Sequence, residues 1–202
     1  MEIFISIFSY IFEHFMIRRY YKKFNIFNEI QLIVSNFILN WFIFSRYDFN
    51  LYSIKLVIFF SLLIVIGFID FYTFTIYNSM IKLGIVFWFI TNSISDEKLM
   101  DNILGGMIGY LIFFIIEYLT KGIGDGDKDL ALLSGLFLGV SKILLSIYIS
   151  FIIGGIVSII FIILKIKNRK DKIAYAPYLS SGCIVSTLFG DVLLNEYIKY
   201  LI

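Results

Sequence analysis

The sequence has very little cysteine, histidine and proline, and each shortage excludes a class of protein. Its 202 residues include one cysteine, Cys183, and one histidine, His14. A disulfide within the chain is therefore impossible, and Cys-rich or His-rich metal sites lack the ligands they need. We accordingly expect no cofactor and no metal. A single proline and 16% charged residues also exclude a disordered chain.

Apolar side chains are abundant instead. Hydrophobic residues make up 60% of the chain, aromatic residues make up 19%, and the mean hydropathy is +0.91. Soluble domains are only about 45–50% apolar. This composition predicts an all-α, polytopic integral membrane protein in a lipid bilayer, with one membrane-embedded domain over residues 1–202. Nucleic acid is excluded as a partner, because no basic face is large enough to neutralise many phosphates.

The apolar runs set the number of membrane spans, since a helix needs about 20 apolar residues to cross a bilayer. They predict about eight transmembrane helices, at 1–17, 30–45, 51–70, 76–92, 102–119, 130–142, 143–164 and 177–198. The first run lacks a basic start and a small-residue cleavage site, so we expect a retained span rather than a signal peptide. The run 130–142 is too short to cross upright, and the sequence leaves open whether it crosses or dips in.

The basic residues predict the orientation. Of the 17 Lys and Arg residues, 11 lie in three segments, 18–23, 121–128 and 165–172. With eight spans these segments fall on one side of the membrane, together with the turn after Asp70. Because Lys and Arg are retained in the cytoplasm, we predict that this side is cytoplasmic and that the N-terminus lies outside.

The chemically unusual stretch is 121–130, where three Gly and three Asp occur among ten residues. Carboxylates near lipid lose hydration, so the chain needs a reason to keep them. Two carboxylates a few ångströms apart share one proton, and such a pair can activate water and protonate a peptide carbonyl. We therefore hypothesise an aspartic-protease pair made by Asp70 and one acid of this stretch. Residue types alone leave Asp125, Asp127 and Asp129 open as the partner.

These motifs resemble those of the type IV prepilin peptidases, which are membrane aspartic proteases with a Gly-x-Gly-Asp signature. The family pattern Gly-Met-Gly-x-Gly-Asp-x-Lys-Leu corresponds to Gly122–Leu130, and further likeness extends over Gly67–Phe189. The resemblance implies that Asp70 and Asp127 are the catalytic acids. It implies supporting roles in the motif for Gly124, Asp125, Gly126 and Lys128.

The same resemblance implies a function. The chain would be an endopeptidase of the cell membrane that cleaves the cytoplasmic leader of prepilin-like precursors (pilins or pseudopilins) for type IV pilus assembly or protein secretion. Its active site would lie at the cytoplasmic face, and a homo-oligomer stays open. The family's long loop with paired zinc-binding cysteines is missing between 18 and 29, so N-methyltransferase activity is not expected. Tyr77 replaces the usual Pro, and Asp129 occupies the place of the motif Lys.

Two other functions stay open at this point. The chain could be a cation- or proton-coupled transporter that uses Asp70 and Asp127, or a non-catalytic scaffold of a pilus or secretion machine. A transporter is disfavoured because the predicted acids lie at one face rather than at the midplane.

Small residues four apart form a separate pattern. Gly105 with Gly109, and Gly135 with Gly139, predict that the helices flanking the Gly/Asp stretch approach closely.

Overall fold

The structure is a computed structural model that describes residues 2–94, 99–120, 122, 124–166, 168 and 171–201. Every regular element in these residues is an α-helix, which confirms the all-α prediction. The helices are α1 (Glu2–Tyr20), α2 (Ile26–Arg46), α3 (Leu51–Thr73), α4 (Asn78–Ile94), α5 (Leu99–Thr120), α6 (Asp125–Ile163) and α7 (Ala176–Leu201). In this described part, α2, α3, α5 and α6 are long and apolar enough to cross a membrane. Eight spans with an outside N-terminus therefore stay a prediction.

The chain divides into two compact units, unit 1 (Met1–Glu97) and unit 2 (Lys98–Ile202). Unit 1 holds α1 to α4, and unit 2 holds α5 to α7. A single membrane domain over the whole chain stays a prediction.

Unit 1 is built around α3. Its strongly apolar sequence places apolar side chains on every face, as expected for a helix enclosed by others. Phe59, Leu62 and Leu63 are fully buried. Asn50 accepts a hydrogen bond from the Ser53 amide at 2.9 Å, and Ser53 accepts one in return from the Asn50 amide at 3.1 Å. This capping box begins α3 where the sequence predicts its start.

Helix α2 starts four residues earlier than predicted. Asn25 lies before the first turn, and its side chain accepts a hydrogen bond from the Asn28 amide at 3.0 Å. A hydropathy boundary misses this start, because the first turn contains the polar residues Asn28 and Glu29.

A buried polar network joins α1 to α2. Asn36 Nδ2 donates to Glu13 Oε1 at 2.7 Å and to Ser9 Oγ at 2.9 Å, and Asn40 Nδ2 donates to Asn36 Oδ1 at 2.9 Å. Glu13 is fully buried. The two asparagines within the predicted second span therefore bind a neighbouring helix instead of facing lipid.

In unit 2, glycines bring α5 and α6 into backbone contact. A Cβ atom on Gly135 would lie 2.2 Å from the carbonyl oxygen of Gly105, and one on Gly109 would lie 2.6 Å from that of Ala131. The predicted close approach is confirmed. Along this contact the residue numbers increase in α6 while they decrease in α5, since Ala131 faces Gly109 and Gly135 faces Gly105. The first part of α6 therefore runs antiparallel to α5.

Helix α6 is broken at Gly139, whose φ of 74° and ψ of 178° are not helical. This region of backbone space is essentially restricted to glycine. The break separates two arms, 125–138 and 140–163. The sequence predicts two segments here, with their junction at Lys142, so the true junction lies three residues earlier.

The second arm runs back along α5. Ile143 lies beside Gly109, and Phe151 stacks on Phe113 with ring centroids 6.3 Å apart. Along this contact the residue numbers increase in both helices, so this arm is parallel to α5. The chain therefore reverses direction at Gly139.

The carboxylate of Asp101 stabilises the change of chain direction at Gly139. Asp101 lies in the first turn of α5. Asp101 Oδ1 accepts a hydrogen bond from the Val140 amide at 3.5 Å, at the start of the second arm. A Cβ on Gly139 would lie 2.2 Å from Asp101 Oδ2. The carboxylate thus serves an amide that the broken helix leaves without a helical partner.

Candidate active site

Asp70 lies in unit 1, inside the last turn of α3. The sequence predicts that the helix ends at Asp70, but it continues to Thr73, whose hydroxyl donates to the Ile69 carbonyl at 2.8 Å. Phe74, in the left-handed region with φ of 53°, ends the helix and donates its amide to the Asp70 carbonyl at 2.8 Å. Asp70 is only 5% exposed. The packing of α3 therefore holds this acid in place.

The turn after Asp70 meets the end of α1. The Tyr20 hydroxyl is 2.8 Å from the Ser79 hydroxyl, and the rings of Tyr20 and Tyr77 have centroids 4.4 Å apart. The basic segment 18–23 therefore lies at the same end of unit 1 as this turn. Tyr77, which stands at the family's proline position, is held by a ring contact instead of a fixed backbone angle.

Asp127 lies in the first turn of α6. The sequence predicts a loop over 121–130, yet the helix begins at Asp125. The Gly124 amide donates to Asp127 Oδ2 at 3.1 Å. Gly124 has no side chain to accept a hydrogen bond from the first turn, so Asp127 makes the side-chain contact at this helix start. The partial positive charge of a helix N-terminus also favours a carboxylate there.

Lys128 ties the first turn of α6 to the end of α5. Its ammonium group contacts Glu117 Oε2 and lies 2.8 Å from Asp125 Oδ1. It also lies 5.7 Å from the ring centroid of Phe114. Lys128 is buried, whereas the Asp125 side chain is largely exposed. We refer to Glu117, Asp125 and Lys128 as the charge clamp.

Glu117 was missed as a site residue, because the sequence only indicates an interfacial acid a few positions before the motif. Lys128, which lies one position before the lysine of the family pattern, was a signal in the sequence that could have indicated Glu117. A lysine directly after Asp127 needs a counter-charge on a neighbouring element, and Glu117 supplies it.

Tyr175 is a second residue that the sequence did not single out. Its hydroxyl is 2.6 Å from the Ser150 hydroxyl, and its ring packs on Phe113 and Phe151 with centroids 5.4 and 5.6 Å away. Burial raises the pKa of Tyr175 to about 12; the hydrogen bond with Ser150 opposes this, and the charge of Asp127 adds to it. Tyr175 thus belongs to a cluster with Ser150, Phe113 and Phe151 in unit 2.

Within unit 2 the structure brings Asp127 together with Gly124, Asp125, Lys128 and Glu117. Gly126 lies in the same turn, and Asp129 follows it, half-buried. Asp70 lies in unit 1, so its pairing with Asp127 stays a prediction. Among the described residues, no group of three or more His, Cys, Asp or Glu side chains could hold a metal ion.

The fold and the site define a class: an apolar, all-helical protein of the multi-pass membrane type with an acidic motif at a helix start. The model of the type IV leader peptidase family matches residues 57–159, just over half of the chain, including both Asp70 and Asp127. The chain belongs to this family, which confirms the resemblance.

Curated relatives carry the name prepilin leader peptidase/N-methyltransferase. The protein from Bacillus subtilis is 27% identical over 156 residues, which are 76% of this chain and 63% of the relative. That from Xanthomonas campestris is 29% identical over 104 residues, 48% of this chain and 36% of the relative. That from Pseudomonas aeruginosa is 28% identical over 109 residues, 51% and 38% respectively. The chain thus spans less than two thirds of each. No solved structure matches it.

Proposed function

We propose that this protein is a membrane aspartic endopeptidase that removes the leader peptide from type IV prepilin-like precursors. The observation that carries the proposal is the family match, which includes both Asp70 and Asp127 in one continuous region. The names of the curated relatives supply the substrate class, prepilins. A role in type IV pilus assembly or protein secretion follows from that class.

The catalytic pair would be Asp70 and Asp127, sharing one proton. The ionised acid takes a proton from water, which attacks the scissile carbonyl, and the protonated acid donates to the developing oxyanion. This chemistry needs no cofactor. The first turn of α6 supports such a role, because the Gly124 amide holds the Asp127 carboxylate from one side.

The site would face the cytoplasm from the cell membrane, in a single peptidase domain with eight spans and an outside N-terminus. The contact of Tyr20 with Tyr77 and Ser79 supports this arrangement, because it places a basic segment beside the turn after Asp70. In unit 2 the second arm of α6 returns toward the end of α5, which puts the basic segment after it on the side of the Gly/Asp motif. Substrate leaders would reach the site from that side.

N-methylation is not part of the proposal. The family's zinc-bearing loop would fall between α1 and α2, and the connection between these helices is only 21–25. No cysteine lies there.

The test is co-expression with a prepilin-like precursor from the same genome, followed by the size of the precursor on a gel. The wild type should convert the precursor to the shorter mature form. Asp70→Asn and Asp127→Asn should leave it uncut while the protein inserts in the membrane at the wild-type level. Asp129→Asn is the matched control, because it makes the same chemical change two residues further along α6, and it should retain cleavage.

Full processing by Asp70→Asn or Asp127→Asn would contradict the proposal. Ion flux that depends on both acids, without any cleavage, would favour a transporter. Normal pilus or secretion assembly with both acids replaced would favour a scaffold.

A further inference from the structure

Glu13 is a buried acid that the proposed mechanism does not use. Its side chain, on α1, is fully buried in unit 1. Asn36 Nδ2 of α2 donates to its Oε1 at 2.7 Å, and the Ser61 side chain of α3 also faces the carboxyl group. The other oxygen, Oε2, is buried and has no hydrogen-bond partner among the described residues. The carboxyl group is thus enclosed by α1, α2 and α3.

The hydrogen-bond donors around this carboxyl group are too few for an ion. A buried carboxylate is stabilised when it accepts two or three hydrogen bonds or faces a cation. Asn36 uses one amide hydrogen on Glu13 and directs the other to Ser9 Oγ at 2.9 Å. The amide of Asn40 donates to Asn36 Oδ1 and to Ser9 Oγ, not to Glu13. The polar network therefore gives the carboxyl group a single amide donor.

A charge on Glu13 would also have no cation to offset it among the described residues. None of the ion pairs in this part of the chain includes Glu13. The ring of His14, the next residue on α1, packs on the rings of Tyr10 and Phe24 instead. The charged residues of α2 and α3 lie at least six positions, or about 9 Å, along their helices from the residues that face Glu13; they are Glu29, Arg46, Lys55 and Asp70.

Unit 2 contains a buried ion for comparison. Lys128 is buried as well, but the carboxylates of Glu117 and Asp125 both face it. Glu13 has no such opposite charge, and an isolated carboxylate in apolar surroundings costs so much free energy that the group takes up a proton instead. The protonated form fits the site, because one oxygen accepts from Asn36 while the hydroxyl can donate to Ser61 Oγ.

We propose that Glu13 is a proton-binding site, which is occupied at neutral pH and whose emptying weakens the packing of α1 against α2 and α3. The last residue of α1, Tyr20, contacts Tyr77 and Ser79 just beyond Asp70. A change in the packing of α1 would therefore reach the turn that follows a proposed catalytic acid. The protonation of Glu13 itself does not depend on the proposed function.

The first test observes the proton by infrared spectroscopy. The full chain is labelled with 13C at the Cδ of glutamate and studied at neutral pH in a detergent without carbonyl groups. A protonated carboxyl group absorbs apart from a carboxylate, and the label separates glutamates from the aspartates of the proposed catalytic pair. The wild type should show a protonated glutamate band with the intensity of one carboxyl group, and Glu13→Gln should lose it.

Glu29→Gln is the matched control for this band. It makes the same chemical change on an acid of the same unit, but Glu29 is ion-paired with Arg18 at 2.8 Å, so the band should remain. Asn36→Ala removes the donor to Oε1 and should shift the band without deleting it, which identifies the band even if Glu13→Gln does not fold. Absence of the band in the wild type, or a band that neither change affects, would overturn the proposal.

The second test measures the packing of α1 by thermal unfolding at a series of pH values. The folded protein binds this proton and the unfolded chain releases it to water, so raising the pH destabilises the wild type relative to Glu13→Gln. Their difference in unfolding temperature should change by about 5 °C or more over about two pH units, until the infrared band has disappeared. Glu29→Gln should follow the wild type. The same difference at every pH would overturn the proposal.

Neither test uses cleavage. A protein that leaves every precursor uncut would contradict the proposed function, and the infrared band would still decide the protonation of Glu13. A wild type that cleaves its precursor but shows no protonated glutamate would overturn the inference about Glu13 and leave the proposed function intact.

Discussion

The two proposed catalytic acids are held in opposite ways. Asp70 lies in the last turn of α3, most of which is buried, whereas Asp127 lies in the first turn of α6, most of which is not. Helix packing in unit 1 positions the first acid. A backbone amide, an ion-paired lysine and a short glycine-rich connection position the second. One acid therefore depends on the core of its unit, and the other depends on a few local contacts.

The helix ends add to this difference. The N-terminus of a helix carries partial positive charge and the C-terminus partial negative charge, each affecting a nearby charged group by about 0.3–1 kcal/mol. Asp127 lies near the partial positive charge of a helix N-terminus, and Asp70 lies near the partial negative charge of a helix C-terminus. A shared site would thus combine two acids in unequal surroundings, which is what a general acid and a general base require.

The largest expected effect tests whether the two acids work as one unit despite this difference. Asp70→Asn and Asp127→Asn should each lower cleavage on the order of a thousandfold or more, and the double variant should be no worse than either. The rate of precursor conversion at equal membrane levels is the measurement. Losses that multiply in the double variant would mean that the acids act independently.

Next in size is the cost of disturbing the glycine contact of unit 2. Gly135→Ala should destabilise the protein by about 1–3 kcal/mol, because the new Cβ would meet the Gly105 backbone, which cannot rotate away. Gly155→Ala is the matched control in the same helix, since no atom lies within 4 Å of its Cβ position. Thermal unfolding in detergent compares them. Equal losses in both variants would contradict the backbone contact.

The third prediction concerns the charge clamp, which holds the helix turn that contains Asp127. Glu117→Lys and Lys128→Glu should each reduce kcat by about tenfold, because either change leaves two like charges facing one another at positions 117 and 128. The double exchange should recover part of the loss, because it restores the pair between positions 117 and 128 but leaves a carboxylate at position 128 facing Asp125; steady-state cleavage is the measurement. Without recovery, Glu117 and Lys128 would not act through each other. The same exchange should leave the thermal stability of unit 1 unchanged.

The smallest effect concerns the hydrogen bond of Asp127 itself. Asparagine keeps an oxygen that can accept from the Gly124 amide, and alanine does not. Asp127→Ala should therefore be less stable than Asp127→Asn by about 0.5–1.5 kcal/mol, although both should be inactive. Amide hydrogen exchange over residues 122–130 compares the variants. Identical exchange would mean that this contact does not hold the first turn.

Hydropathy predicted the helical class and most of the segments, because long apolar runs in a membrane protein have few alternatives. It misplaced the starts of α2 and α6, where polar residues belong to first turns. Asn28 and Asp127 look like loop residues until their hydrogen bonds with Asn25 and Gly124 are known. The junction was placed at Lys142 because charge is visible in a sequence, whereas the backbone angle of Gly139 is not.

The candidate site divides in the same way. The motif indicated Asp127 and Lys128, because the family pattern is local in sequence. Glu117 was missed, since it meets the site from another helix. Its role depends on the depth at which α5 packs against the first arm of α6, and no short pattern encodes that packing.

The reversal at Gly139 has a consequence for the surrounding lipid. An arm of 14 residues (125–138) is about 21 Å long, whereas the hydrocarbon layer is about 30 Å thick. If this arm spans the membrane, either the bilayer thins by several ångströms around unit 2, or a hydrated recess opens above the shorter arm and admits water below the level of the headgroups. Both responses depend on bilayer thickness, so activity in vesicles should vary with the acyl-chain length of their lipids.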